Sequence, residues 1–141
     1  CGLGARDTLR IEMGFLLSGQ DFDPDTEPRT PYEARIGFAV KLDTEFVGRD
    51  ALEGINIEGS EEKLVGLVLR ERGVPRQGHA VTTAAGEELG HVTSGTMSPT
   101  LEEPIALAYL PREYVGEERT VRVVIRGEPK KARTTTPPFL P

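Results

Sequence analysis

The chain has 141 residues, 37% hydrophobic and 28% charged, which suits a soluble globular protein with enough length to bury a core. A net charge of −6 argues against a nucleic-acid partner, which needs a clustered basic face. No apolar run approaches the roughly 20 residues of a membrane span. A single cysteine, Cys1, excludes an internal disulfide and points to a reducing, cytoplasmic setting. With that one Cys and two His (His79, His91), no metal site of the usual zinc type is expected.

Residues 1–14, CGLGARDTLRIEMG, predict a helix. Ala5, Leu9 and Met13 lie on one stripe at a spacing of four, which predicts a half-buried face, and Gly14 is placed to stop it. QDFDPDTEPRTP, 20–31, carries three prolines and several turn formers and reads as a loop. Pro31 suits the first turn of a short helix, with Thr30 as its N-cap. IGFAVKL, 36–42, has the length and apolar content of a strand. VGRDALEG, 47–54, reads as a short helix ended by Gly54, and residues 54–62 read as a linker.

Beyond the linker the texture becomes β-rich. Residues 63–71, 79–83, 88–97, 105–110, 120–127 and 130–136 form six short runs broken by Gly or Pro. Six strands with tight connections suggest a closed barrel or a sandwich, and a barrel removes exposed edges. In VRVVIRG, Val121, Val123 and Ile125 face one way, and Arg122 and Arg126 the other. RGEPKKAR, 126–133, reads as a solvated hairpin tip.

Several chemical motifs fail on inspection. Asp21-Phe22-Asp23-Pro24-Asp25 opens like a calcium loop, but Thr26 stands where Gly belongs and Tyr32 where Glu belongs. Gly2-Leu3-Gly4 opens like a dinucleotide fingerprint, but Asp7 occupies the third glycine position. Ser94 and Ser98 can be combined with His79 or His91 on paper, yet neither serine sits in a G-x-S-x-G elbow. Arg76 is either a surface arginine or a buried one that ties loop carbonyls to a neighbouring domain. Arg6 is the remaining candidate, because a forked guanidinium suits a carboxylate or phosphate. Against it stands a solvated ion pair with Asp7 or Glu12, with Arg10 alongside. Helix geometry alone favours that plainer reading.

Taken in order, GLGARDTLRIEMG, the Asp21 loop, Pro31-Tyr32-Glu33-Ala34, GFAVKLD and FVGRDAL resemble aminomethyltransferase, the T-protein of the glycine cleavage system. KLVGLVLRERGVPRQGHAV, VTSGTMSPTLEEPIALAYLP and ARTTTPPF continue the resemblance in the same order across essentially the whole chain. It implies an α+β, mainly β fold. Residues 1–55 would be the end of an α+β folate-binding body, and residues 60–141 a six-stranded antiparallel β-barrel. It implies tetrahydrofolate as cofactor, and lipoylated H-protein and the remainder of the same polypeptide as partners, with no nucleic acid and no membrane. It implies transfer of the methylene carbon from aminomethyl-dihydrolipoyl H-protein to tetrahydrofolate, with release of ammonia.

The family's key aspartate belongs to an N-terminal half that this sequence does not contain. The resemblance therefore implies a C-terminal portion, inactive alone, that opens at Cys1 in the interior of a longer protein. No catalytic residue is assigned within the chain. The arginine of the family's GLxARD motif falls on Arg6, which the resemblance assigns to substrate binding. Asp21 and Gly14 fall on positions read as structural, Arg76 on an arginine that braces the barrel, and Arg10 stays a surface residue. The rival readings are a non-catalytic β-barrel interaction module and part of a folate-dependent demethylase or dehydrogenase.

Overall fold

The computed structural model describes residues 1–141. Six strands occupy its second half: β1 (Glu62–Leu69), β2 (Ala80–Thr82), β3 (Glu88–Ser98), β4 (Glu103–Pro111), β5 (Thr120–Ile125) and β6 (Glu128–Thr135). They close into an antiparallel barrel in the order β1-β4-β3-β2-β5-β6, with β1 meeting β6. The expected six-stranded barrel is therefore present. Closure leaves no long edge open to another chain.

The interior is filled by alternate residues, among them Val65, Leu67, Val81, Val92, Val121 and Val123. β5 reads as clean alternation because its outer face meets water. β1 and β4 do not alternate, because both faces are covered. Their outward residues Leu64, Val68, Ile105, Leu107 and Tyr109 form a second cluster with Ile11 from the N-terminal helix. The β5–β6 hairpin turns on Arg126 and Gly127, both at positive φ, between the paired Ile125 and Glu128. That is the two-residue turn whose twist matches the strands it joins.

One close approach fixes the loop over the barrel. A Cβ at Gly95 on β3 would lie 2.2 Å from the carbonyl oxygen of Pro75. Neither backbone can yield cheaply, so Gly95→Ala is expected to cost about 1–3 kcal/mol. Urea denaturation checks this as a lower midpoint at an unchanged slope.

The first half departs from expectation in four places. Helix α1 runs from Leu3 to Glu12 and is stopped at Gly14, which adopts positive φ. Its buried face is not the Ala5-Leu9-Met13 stripe. Leu9 is 61% exposed, whereas Ile11 is fully buried and Glu12 is 1% exposed. Thr8, Ile11 and Glu12, spaced i, i+3, i+4, turn toward the barrel. A mostly polar face carries no hydrophobic-periodicity signal.

Residues 36–42 form no strand. Gly37–Ala39 make one 3₁₀ turn, and Phe38 stands out in solvent. Apolar content supplied no neighbouring strand to bond. Residues 31–35 make a turn rather than a regular helix. The predicted cap at Thr30 is nonetheless present. Its hydroxyl accepts from the Glu33 amide at 3.2 Å, and the Glu33 carboxylate accepts from the Thr30 amide at 3.1 Å. This reciprocal pair is a capping box. Helix α2 runs from Arg49 to Glu58, through Gly54, and ends at Gly59 in a positive-φ conformation. An interior glycine weakens a helix by about 1 kcal/mol but does not stop one. No helix is long and apolar enough to cross a membrane.

Candidate functional site

Helix α1 lies on the outer face of β3 and β4. Its polar residues meet a row of hydroxyls that β3 presents at alternate positions. Thr8 Oγ1 and Thr96 Oγ1 are hydrogen-bonded at 2.8 Å. Arg10 Nη2 donates to Ser94 Oγ at 2.8 Å. Ser98 Oγ donates to Glu12 Oε1 at 2.5 Å. The strand period of two puts Ser94, Thr96 and Ser98 on one face, so a short SGTMS run holds three points of the helix.

Asp21 completes the joint. It is fully buried. Its carboxylate accepts from Thr93 Oγ1 at 2.6 Å, Ser94 Oγ at 2.5 Å and the Leu17 amide at 2.9 Å, and it pairs with the Arg10 guanidinium. Expected as a loop-fixing acid, it does fix the loop, and it binds helix and barrel as well. Four donors around one carboxylate supply what burial of its charge requires.

Arg10 is not the solvated residue that sequence suggested. Its side chain is only 11% exposed. Besides Asp21 and Ser94 it reaches Asp7 through Nε at 2.8 Å and Nη2 at 2.6 Å, and the Phe15 carbonyl through Nη1 at 3.2 Å. A guanidinium has five N–H donors. Four hydrogen bonds and the ion pair with Asp7 engage all three nitrogens of Arg10 within the chain.

Arg6, one turn earlier on the same side, is exposed and has no hydrogen-bond or ion-pair partner. The plainer pairing foreseen for it does not form. Asp7 is taken by Arg10, and Glu12 by Ser98. Arg6 lines an open cleft of about 510 Å³ together with Leu3, Gly4, Asp7, Arg10, Leu16, Leu17 and Gln20. The cleft thus offers one free guanidinium beside apolar side chains. Such a site suits a ligand with an anionic or strongly polar end and a flat apolar body.

The loop behind the cleft is anchored independently. Arg29 stacks 4.0 Å from the centre of the Tyr109 ring and pairs with Glu33 at 2.9 Å. Burial pushes the Tyr109 phenol above its ordinary range. His91 Nε2 lies 3.2 Å from Glu27. Asp23 accepts the amides of Asp25 and Thr26, which hold its carboxyl below the usual range. The calcium-like run is a polar turn.

Comparison with known proteins adds the decisive finding. Residues 62–140 match the family model for the glycine cleavage T-protein C-terminal barrel domain. The chain belongs to the glycine cleavage T-protein family.

A probable aminomethyltransferase from Haloarcula marismortui is 70% identical over 140 residues, 99% of this chain and 39% of that protein. An aminomethyltransferase from Symbiobacterium thermophilum is 49% identical over 141 residues, 36% of its length. The crystal structure of the glycine cleavage system aminomethyltransferase T from Bartonella henselae superposes with a TM-score of 0.89 at 33% identity. It covers 99% of this chain and 39% of that one. The chain thus spans about two fifths of the length of these T-protein relatives.

The other candidates on this T-protein chain fall away from the cleft or into its support. Ser94 and Ser98 are both fully buried, bonded to Asp21 and Glu12, and neither meets a histidine. His79 accepts the Arg76 amide through Nδ1 at 3.1 Å. Arg76 is exposed, as the first of its two readings has it, and donates to the Gly95 carbonyl of β3 at 3.2 Å. Sequence reasoning missed the joint formed by Arg10, Thr93 and Ser94. The available signal was an alternating hydroxyl row, TSGTMS, together with a lone acid in a loop.

Proposed function

We propose that this chain is part of a tetrahydrofolate-dependent aminomethyltransferase of the glycine cleavage system. The reaction moves the methylene carbon from the aminomethyl-dihydrolipoyl arm of H-protein to tetrahydrofolate. The carbon–sulfur bond breaks, ammonia leaves, and 5,10-methylenetetrahydrofolate and the dihydrolipoyl arm remain. Family membership and the names of the relatives support this reading. Residues 1–55 are proposed as the end of the folate-binding body, residues 60–141 as the barrel domain, and the cytoplasm as the setting.

The observation that carries the site is the free guanidinium of Arg6 on the cleft, beside an Arg10 held by Asp21, Ser94 and Asp7. The residues fit the cofactor in kind. Leu3, Leu16 and Leu17 offer apolar surface to a flat ring system, and Arg6 offers a bidentate donor to a carboxylate or carbonyl. Tetrahydrofolate, when bound, supplies the amine that accepts the methylene group. Arg6 would bind and orient it without changing its own protonation. Orientation is the larger part of such a step, because a held amine reacts as if highly concentrated. No carboxylate of this chain is given the proton-transfer role, and the reaction needs the rest of the polypeptide.

In the complete polypeptide, Arg6→Ala is expected to raise KM for tetrahydrofolate about 10- to 100-fold, the loss of a charge-assisted contact. Steady-state kinetics with aminomethylated H-protein would measure it. An unchanged KM removes Arg6 from the substrate site.

A further inference from the structure

The means by which helix α1 is held sets it apart from an ordinary amphipathic helix. Its only fully buried apolar side chain is Ile11, while Leu3, Leu9 and Met13 face away from the barrel. Burial of apolar area is non-directional and would tolerate some rotation of the helix about its axis. Hydrogen bonds are directional and short-ranged. Here three of them, Thr8–Thr96, Arg10–Ser94 and Glu12–Ser98, join one helix to one strand. The Arg10–Asp21 pair braces the middle point. Arg6 sits four residues before Arg10, on the same side, so any rotation that loosened Arg10 would swing Arg6 across the cleft.

We propose that the hydroxyl row of β3, acting through Arg10 at Ser94 and through Thr8 at Thr96, positions Arg6. Ser94, Thr96 and Arg10 are positioning residues, and the barrel sets the angle of a side chain that it does not itself carry. This inference rests on the reading of Arg6 as a substrate contact. It goes further by giving the barrel a part in the affinity for tetrahydrofolate beyond enclosure.

The test is a double-mutant cycle in the complete polypeptide. Ser94→Ala removes the hydroxyl that orients Arg10, and Thr96→Val removes the second point while keeping the side-chain shape. Thr96→Val is expected to raise KM for tetrahydrofolate about threefold to tenfold with kcat nearly unchanged, the cost of one hydrogen bond, and Ser94→Ala, which also removes a donor to Asp21, to raise it at least as much. In an Arg6→Ala background the same changes are expected to leave KM where Arg6→Ala put it, because their effect travels through Arg6. Arg10→Lys is expected to act like Ser94→Ala, because one ammonium cannot replace the fork. Full additivity with Arg6→Ala, or unchanged KM in both single variants, overturns the proposal and leaves the reading of Arg6 intact. If Arg6→Ala itself leaves KM unchanged, both fail together. Thermal melting of each variant separates these outcomes from unfolding. If Ser94→Ala does not fold, the isosteric Thr96→Val carries the cycle.

Discussion

Replacing Asp21 with alanine is expected to lower the unfolding free energy by about 3–5 kcal/mol, the usual cost of removing one partner from a buried charge pair. The carboxylate is fully buried and is met by Arg10, Thr93, Ser94 and the Leu17 amide. Its loss leaves Arg10 with Asp7 as its one remaining ion-pair partner and takes the acceptor from the Ser94 hydroxyl and the Leu17 amide, while Thr93 keeps the Leu107 carbonyl. Asp21→Asn is expected to cost less, since the amide oxygen can still accept two of those bonds. Urea denaturation followed by circular dichroism would measure both. A loss for Asp21→Ala below about 1 kcal/mol, the size expected at a surface site, would show that the joint does not hold the helix to the barrel.

The second large effect separates two descriptions of helix α1. Ile11→Ala is expected to cost about 2–5 kcal/mol, because a fully buried branched side chain leaves a cavity against Leu64, Ile105 and Leu107. Leu9→Ala, on the exposed face, is expected to stay within about 0.5 kcal/mol. Equal losses, or a larger loss at Leu9, would place the Ala5-Leu9-Met13 stripe inward after all.

That pair of residues also marks where sequence reading worked and where it failed. The six strands were legible because β-branched runs, glycine turns and alternation all pointed the same way, most clearly in Val121, Val123 and Ile125. The helix at residues 3–12 was legible as a helix but not in its facing. Periodicity arguments look for apolar stripes, and this helix docks through Thr8, Arg10 and Glu12, with Ile11 as the one buried hydrophobe. Residues 36–42 show the converse error: apolar side chains such as Phe38 that no other part of the chain covers. Glycine often ends helices, which places the expected stop at Gly54. The actual stop is Gly59, whose positive φ an L-residue rarely adopts.

For the site, residue type and spacing could not separate Arg6 from Arg10. The resemblance pointed to Arg6. The structure adds a physical difference: one guanidinium is engaged through all three of its nitrogens and the other has no partner within the chain. That difference depends on partners at residues 94 and 21, too remote in sequence for local pattern to reveal.

Closure of the barrel through β1 and β6 also governs how the chain reaches this state. Val68 pairs with Arg133 and Leu69 with Ala132, so the first strand waits for the last. During synthesis β1 emerges early and can pair with β4, but its other edge stays open until β6 has left the ribosome. Bringing such distant segments together costs loop entropy before any contact repays it, which makes closure the slow event of folding. In that interval the apolar β1, LVGLVL, presents an unpaired edge to other chains.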